Sequence, residues 1–157
     1  MPKATPPTDY ASIPVLLRHA RDAYATAMRT ALEAAGYDDI PKNGQYVLGG
    51  LALQKGGRPL SQLIDELNIS KQAAGQLVDA LVVRGYLKRD VDDADRRKLT
   101  IALTERGRAA ARVIGSARDS IDVELLQRSG AQNVERLRKT LAVLVDMGRE
   151  FHAALPD

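Results

Sequence analysis

The feature that most constrains the fold is a change of hydrophobic period between Ser61 and Thr104. From Ser61 to Leu81, apolar residues recur at spacings of three and four, in two short helical patterns separated by Asn68 and Ile69. From Leu99 to Leu103 the spacing becomes two, which is typical of a half-buried strand. This order of elements predicts a helix-turn-helix followed by a β-hairpin.

The second helix of the pair begins after Ser70, a residue suited to cap a helix N-terminus. The positions with the spacing of a buried face are Ala74, Leu77, Val78 and Leu81. The opposite face holds Lys71, Gln72, Gly75, Gln76 and Asp79. Gln72 and Gln76 are candidate base-reading residues, because a glutamine amide can both donate to and accept from an adenine edge in the major groove. Lys71 and the free N–H groups of the first turn favour a phosphate. The alternative is a solvated face that binds nothing.

The alternating pattern predicts two antiparallel strands, Leu87–Val91 and Leu99–Leu103, joined by the loop 92–98. Positive charge gathers around this hairpin. From Arg84 to Arg112 there are nine basic and five acidic residues, a net charge of +4 in 29 residues. A basic hairpin directly after a helix pair favours nucleic acid as the partner.

Within the loop, Asp95 stands two residues before Arg97. Its carboxylate is placed to brace a guanidinium while Arg96 or Arg97 points outward. A braced arginine at a loop tip suits the narrow minor groove, where negative potential is concentrated. The alternative is a surface ion pair with no partner, which contributes ~0–1 kcal/mol.

Helical patterns flank the hairpin lobe on both sides. A helix is predicted from Ser12 to Gly36, and a second from about Pro41 to Gln54. After the hairpin, helices are predicted over 105–128, capped by Thr104, and over 132–154. The last one carries the apolar residues Val134, Leu137, Leu141, Leu144, Val145 and Phe151. These stripes exceed the needs of one small lobe and favour a symmetric dimer, with a helical core inside one chain as the alternative.

Residues Leu60 to Gly107 resemble the winged helix-turn-helix of the MarR family, the multiple antibiotic resistance regulators. The similar segments are Leu63–Leu67, SKQAAGQLVDAL (70–81), RGYLKR (84–89), DDADRR (92–97) and LTERG (103–107). The resemblance implies a mainly α fold with a small β-hairpin wing, flanked by N- and C-terminal dimerisation helices. It also implies a homodimeric, sequence-specific repressor of transcription that binds a palindromic site in double-stranded DNA.

On this resemblance, residues 1–157 form one domain: a flexible arm (1–11), dimerisation helices (12–36 and 105–154) and the winged lobe (41–104). The expected DNA-binding residues are Ser70, Lys71, Gln72, Ala73, Gly75, Gln76, Arg89, Asp95, Arg96, Arg97 and Lys98. The chain departs from the family at Asp93, where a proline is frequent. It departs again at Gly75 and Gln76, where serine or threonine and then arginine are frequent. The resemblance therefore predicts binding to DNA more directly than it predicts which bases this chain prefers.

In this family a small aromatic or phenolic ligand often binds between the dimer helices and the DNA-binding lobe and weakens DNA binding. The candidate effector pocket comprises Arg18, His19, Tyr24 and Tyr46. Gly49 and Gly50, inside the second predicted helix, indicate either space for such a ligand or close helix packing. No cofactor is expected.

Composition argues against several other classes of protein. Cysteine is absent, which excludes disulfides, thiol switches and thiolate metal sites, and the two histidines lie far apart in the sequence. No apolar run approaches the ~20 residues of a membrane helix, so a cytoplasmic protein without a membrane partner is expected. No constellation of residues predicts an enzyme. A winged-helix module that binds protein rather than DNA is the alternative function, and it would require an apolar outer face over residues 71–79.

Overall fold

The computed structural model describes residues 11–53, 67, 69–91 and 99–154. These residues form a mainly helical fold with a two-stranded hairpin, as the sequence predicts. The helices are α1 (Ile13–Ala34), α2 (Gly44–Ala52), α3 (Lys71–Val83), α4 (Glu105–Ser129) and α5 (Ala131–Ala153), and the strands are β1 (Leu87–Val91) and β2 (Leu99–Leu103). The predicted short helix after Ser61 falls almost wholly outside the described residues; Leu67 alone is described, and it is helical.

The start of α2 differs from the prediction. The sequence places it near Pro41, whereas the helix begins at Gly44. Asn43 adopts a left-handed backbone with φ of 69°, and the amide of Gly44 donates to the carbonyl of Pro41 at 2.8 Å. Because a left-handed residue cannot continue a right-handed helix, the first turn can form only after Asn43. The predicted end at Gln54 lies outside the described residues.

Helix α3 has the boundaries and the buried face that its sequence predicts. The Ser70 hydroxyl accepts a hydrogen bond from the amide of Ala73 at 3.1 Å, so it caps the helix. The buried residues are Ala74, Leu77, Val78 and Leu81. At the other end Gly85 takes a φ of +75°, and the amide of Tyr86 donates back to the carbonyl of Leu81 at 2.9 Å. This closure directs the chain straight into β1.

The strands pair in antiparallel register, with Leu87 opposite Leu103 and Val91 opposite Leu99. Strand β1 packs against α3, and β2 packs against α2. The hairpin therefore adjoins both helices at its base. Thr104 caps α4, since its hydroxyl accepts a hydrogen bond from the amide of Gly107 at 3.0 Å.

One hydrophobic core holds this part of the chain together. Its largest fully buried side chains are Tyr86, Leu48, Leu81, Leu87, Ile114 and Val47. Helix α1 contributes Met28 and Leu32.

The chain divides into two compact units, Met1–Arg118 and Asp119–Asp157. The first contains the core and the hairpin. The second contains the end of α4 and the whole of α5, which has no buried residue. Among the helices described, none is long and apolar enough to cross a membrane.

Candidate nucleic-acid interface

The outer face of α3 is polar and open to solvent. Lys71, Gln72 and Gln76 are exposed, as are the cap Ser70 and Ala73. Over residues 71–79, all of which the structure describes, the large apolar side chains are buried and the exposed ones are polar or small. The face therefore offers hydrogen-bonding groups without an apolar patch, which is the arrangement that base reading requires.

Gly75 lies in the middle of this face. A Cβ built at this position would have no neighbouring atom within 4 Å. Packing inside the chain therefore does not require a glycine here, although glycine in a helix costs ~1 kcal/mol relative to alanine.

Arg89 in β1 forms an ion pair with Asp79, which lies on the outer face of α3. Both side chains are about half exposed. The adjacent Lys88 pairs with Asp90 at 2.6 Å along the same strand. Asp79 therefore holds the guanidinium of Arg89 beside the polar face of α3, where a DNA phosphate would lie if that face docks in a groove.

Four of the expected DNA-binding residues, Asp95, Arg96, Arg97 and Lys98, fall in the loop 92–98. This loop lies outside the residues that the structure describes.

A cluster of polar side chains joins both ends of the hairpin to the loop between α1 and α2. The Tyr86 hydroxyl donates a hydrogen bond to the Asp39 carboxylate. Arg106 Nη2 donates to Asp39 at 3.1 Å and lies 3.0 Å from the Tyr86 oxygen. The Arg106 guanidinium also lies over the Tyr86 ring, 4.6 Å from its centroid. Tyr37 meets the same ring edge-on, at 6.2 Å between centroids.

The cluster shifts the pKa values of Asp39 and Tyr86 in opposite directions. The hydrogen bond from Tyr86 and the positive charge of Arg106 lower the pKa of Asp39. Burial and the adjacent carboxylate raise the pKa of Tyr86. Asp39 is therefore an anion and Tyr86 a neutral donor near neutral pH, which is the pairing that the hydrogen bond needs.

A cleft of about 700 Å³ opens between α1 and the start of α2. The described residues that line it include the cations Arg18, Arg21, Arg29 and Lys42, with Asp22 as the one carboxylate. The guanidinium of Arg21 lies 5.0 Å from the centroid of the Tyr46 ring. Gln45, which is only 4% exposed, reaches the cleft and donates a long hydrogen bond of 3.5 Å to the carbonyl of Ala25.

The structure brings together two of the four residues expected at the effector pocket. Arg18 and Tyr46 line the cleft. His19 is exposed on α1, and Tyr24 packs against the core instead. Gly49 does not border the cleft: a Cβ there would lie 3.3 Å from Cγ2 of Ile114, so close packing of α2 on α4 explains this glycine.

Asp39, Tyr86 and Arg106 were not singled out as site residues from the sequence. They are separated by 47 and 20 residues and follow no common periodicity. The sequence signals are Tyr86 inside RGYLKR and Arg106 inside LTERG. Over the described part of the chain, no group of three or more histidine or acidic side chains could hold a metal ion.

Comparison with known proteins supports the family resemblance. Residues 46–98 match a sequence model described as MarR family. This segment runs from Tyr46 through α3 to the end of the wing loop. A search of curated protein sequences gives no match.

Solved structures share the fold across most of the chain. The structure of Streptococcus pneumoniae FabT in complex with DNA has a TM-score of 0.73 at 17% identity, covering 88% of this chain and 96% of that one. The S. aureus MepR–DNA complex has a TM-score of 0.71 at 20% identity, covering 87% and 98%. NadR in complex with 4-hydroxyphenylacetate has a TM-score of 0.69 at 24% identity, covering 92% and 97%. At these identities the likeness establishes the fold.

Proposed function

We propose that the chain belongs to the MarR family of winged helix-turn-helix transcription regulators, whose sequence model matches residues 46–98, and that it is a dimeric, sequence-specific repressor relieved by a small aromatic acid. The family consists of regulators and not of enzymes, so no catalytic role is assigned. As a DNA-binding regulator, the protein would act in the cytoplasm. We assign residues 1–11 to an arm, 41–104 to the DNA-binding lobe, and 12–36 and 105–154 to dimerisation.

The polar outer face of α3 carries the DNA-binding part of this proposal. Gln72 and Gln76 read base edges in the major groove, while Lys71 and the first-turn amides contact phosphates. The absence of a side chain at Gly75 lets the backbone approach the bases. Arg89, held by Asp79, contacts the flanking phosphate. The wing residues Asp95, Arg96, Arg97 and Lys98 occupy the adjacent minor groove. FabT and MepR, which share the fold, have both been solved with DNA.

The apolar seam of α5 supports a homodimer. Its members recur at alternating spacings of three and four residues, as Val134, Leu137, Leu141, Leu144, Gly148 and Phe151. Leu137, Leu144 and Phe151 are 44%, 42% and 62% exposed within one chain. A second copy of the same helix satisfies such a repeat, as in a coiled coil. Two lobes related by a twofold axis then read two half-sites about one helical turn of DNA apart.

The cationic cleft supports an aromatic acid as effector. Among the described residues that line the cleft, four cations against one carboxylate favour an anion, and the Tyr46 ring offers a flat surface for an aromatic group. NadR has been solved with 4-hydroxyphenylacetate, which has this chemistry. We place the effector against Arg18, Arg21 and Tyr46, with His19 and Tyr24 flanking that site on α1.

A protein-binding winged helix is the second candidate. It requires apolar side chains on the outer face of α3, and between Lys71 and Asp79 that face is polar. This observation favours DNA.

The test is selection of duplexes from a random pool by the wild-type protein, followed by titration of variants. Gln76→Ala should relax the preference at one base of each half-site by ~1–3 kcal/mol. Arg97→Ala should weaken binding to every sequence and reduce the salt dependence. The exposed residues Gln132 and Arg138 of α5 provide matched controls through Gln132→Ala and Arg138→Ala. An unchanged selected motif for Gln76→Ala would refute base reading by α3.

A further inference from the structure

We propose that Asp39, Tyr86 and Arg106 are positioning residues that fix the angle of the hairpin for docking on DNA, acting through the hairpin and not by touching DNA. The proposal rests on the proposed function, since it assigns to the cluster a role in DNA binding. It concerns residues that are not part of α3.

Two of the three residues flank the hairpin in the chain. Tyr86 directly precedes β1, and Arg106 follows β2 by three residues. Both side chains converge on the carboxylate of Asp39, which lies in the loop between α1 and α2. The two ends of the hairpin are therefore held by one anion on a third segment.

The backbone adds a second set of bonds at the same place. The carbonyl of Tyr86 accepts a hydrogen bond from the amide of Thr104 at 3.0 Å, and the Thr104 hydroxyl lies 2.5 Å from the carbonyl of Gly85. These bonds keep the strand ends together but do not tie them to the loop that carries Asp39. Among the contacts described, the hydrogen bonds to Asp39 and the edge-on contact of Tyr37 with the Tyr86 ring make that connection.

The exposure of these side chains indicates that the cluster orients the hairpin more than it stabilises the fold. The Asp39 and Arg106 side chains are 40% and 47% exposed, and an ion pair of that exposure adds little stability. Tyr86, in contrast, is fully buried, with its ring against Arg106 and Tyr37. The Tyr86 ring is thus held by packing, and its hydroxyl is held by Asp39 and Arg106.

Small angular freedom at the base of the hairpin is amplified at its tip. A five-residue strand at ~3.3 Å per residue is roughly 16 Å long, so a tilt of about 10° displaces the tip by roughly 3 Å. Such a displacement would break simultaneous docking of α3 and the wing in adjacent grooves. Loss of the cluster therefore weakens binding to all duplexes and leaves the base preference unchanged.

The decisive experiment compares Asp39→Asn with Asp38→Asn by fluorescence anisotropy at fixed salt, on the selected duplex and on a scrambled one. Both variants remove one negative charge from neighbouring positions, so simple electrostatics predicts slightly tighter binding to DNA for both. The positioning role predicts that Asp39→Asn instead binds both duplexes roughly tenfold more weakly, which corresponds to about 1.4 kcal/mol. Equal or tighter binding by Asp39→Asn relative to Asp38→Asn overturns the proposal.

Tyr86→Phe repeats the test without a change of charge and covers the case in which Asp39→Asn does not fold. It should lose affinity for both duplexes in the same proportion, and unchanged affinity contradicts the proposal.

Hydrogen exchange on the free protein separates this inference from the proposed function. In Tyr86→Phe, amides of Leu87–Val91 should exchange faster while those of α1 do not. If the wild type binds no duplex, the proposed function fails, and the exchange result alone decides whether the cluster holds the hairpin.

Discussion

A Cβ built on Gly107 would lie 2.0 Å from the carbonyl oxygen of Tyr86. That oxygen is held in place, because it accepts the amide of Thr104 at 3.0 Å. The glycine of the LTERG segment is therefore needed for the close approach of α4 to the turn before β1. The same contact places Arg106 beside the Tyr86 ring.

Gly107→Ala should destabilise the fold, because the obstacle is backbone and cannot move aside. We expect a loss of about 1–3 kcal/mol or more, the range for overpacked sites. Gly115→Ala on the same helix is the control, since its nearest neighbour would be the end of a flexible side chain at 3.9 Å. Chemical denaturation measures both. Equal stability of the two variants would show that the approach at Gly107 is not restrictive.

Gly75→Ala should raise the stability of the fold and lower the affinity for DNA. The new methyl group has no neighbour within 4 Å, so the fold should gain up to ~1 kcal/mol from helix propensity. Affinity for the selected duplex should nevertheless fall, because the methyl group stands on the docking face, one turn from Gln72. Thermal melting and anisotropy titration give the two quantities. A stabilised variant with full affinity would mean that the backbone does not approach DNA closely here.

Leu144→Asp should dissociate the dimer, since it places a charge in the seam of α5. Val143→Asp is the matched control, because Val143 is 61% exposed and lies beside the seam in the sequence. Sedimentation equilibrium at micromolar concentration should show a monomer for the first variant and a dimer for the second. A dimeric Leu144→Asp would assign the interface to another surface.

The stability contributed by Asp39 should depend on pH in a defined direction. Its pKa in the folded protein is lowered by Tyr86 and Arg106, so its contribution is present above the unfolded pKa of about 3.9 and is lost as pH falls through the folded value. The difference in unfolding free energy between wild type and Asp39→Asn should stay constant from about pH 7 to 5 and shrink below about pH 4. Urea titrations at each pH measure it. A difference that does not change down to about pH 3 would contradict the shift.

Local patterns in the sequence predict the hairpin lobe well. The boundaries of β1 and β2, the caps at Ser70 and Thr104, and the buried face of α3 all follow from spacing and side-chain type within a few residues. The start of α2 was wrong by three residues, because the left-handed backbone of Asn43 depends on the surrounding fold.

The polar cluster and the lining of the cleft could not be predicted in this way. Asp39, Tyr86 and Arg106 meet only after three distant segments have packed, and no local rule relates their positions. Tyr24 illustrates the same limit, since its position on α1 suits either a pocket or the core and the packing of the whole unit selects the core.

The salt dependence of binding to the selected and scrambled duplexes tests the central claim most directly. The account predicts tight binding to the selected duplex that falls linearly on a log–log plot of affinity against salt, with a slope of several units. Binding to the scrambled duplex should be weaker by about 10³-fold or more at the same salt. Equal affinity for the two duplexes, or an affinity that does not change with salt, would contradict a sequence-specific DNA-binding regulator.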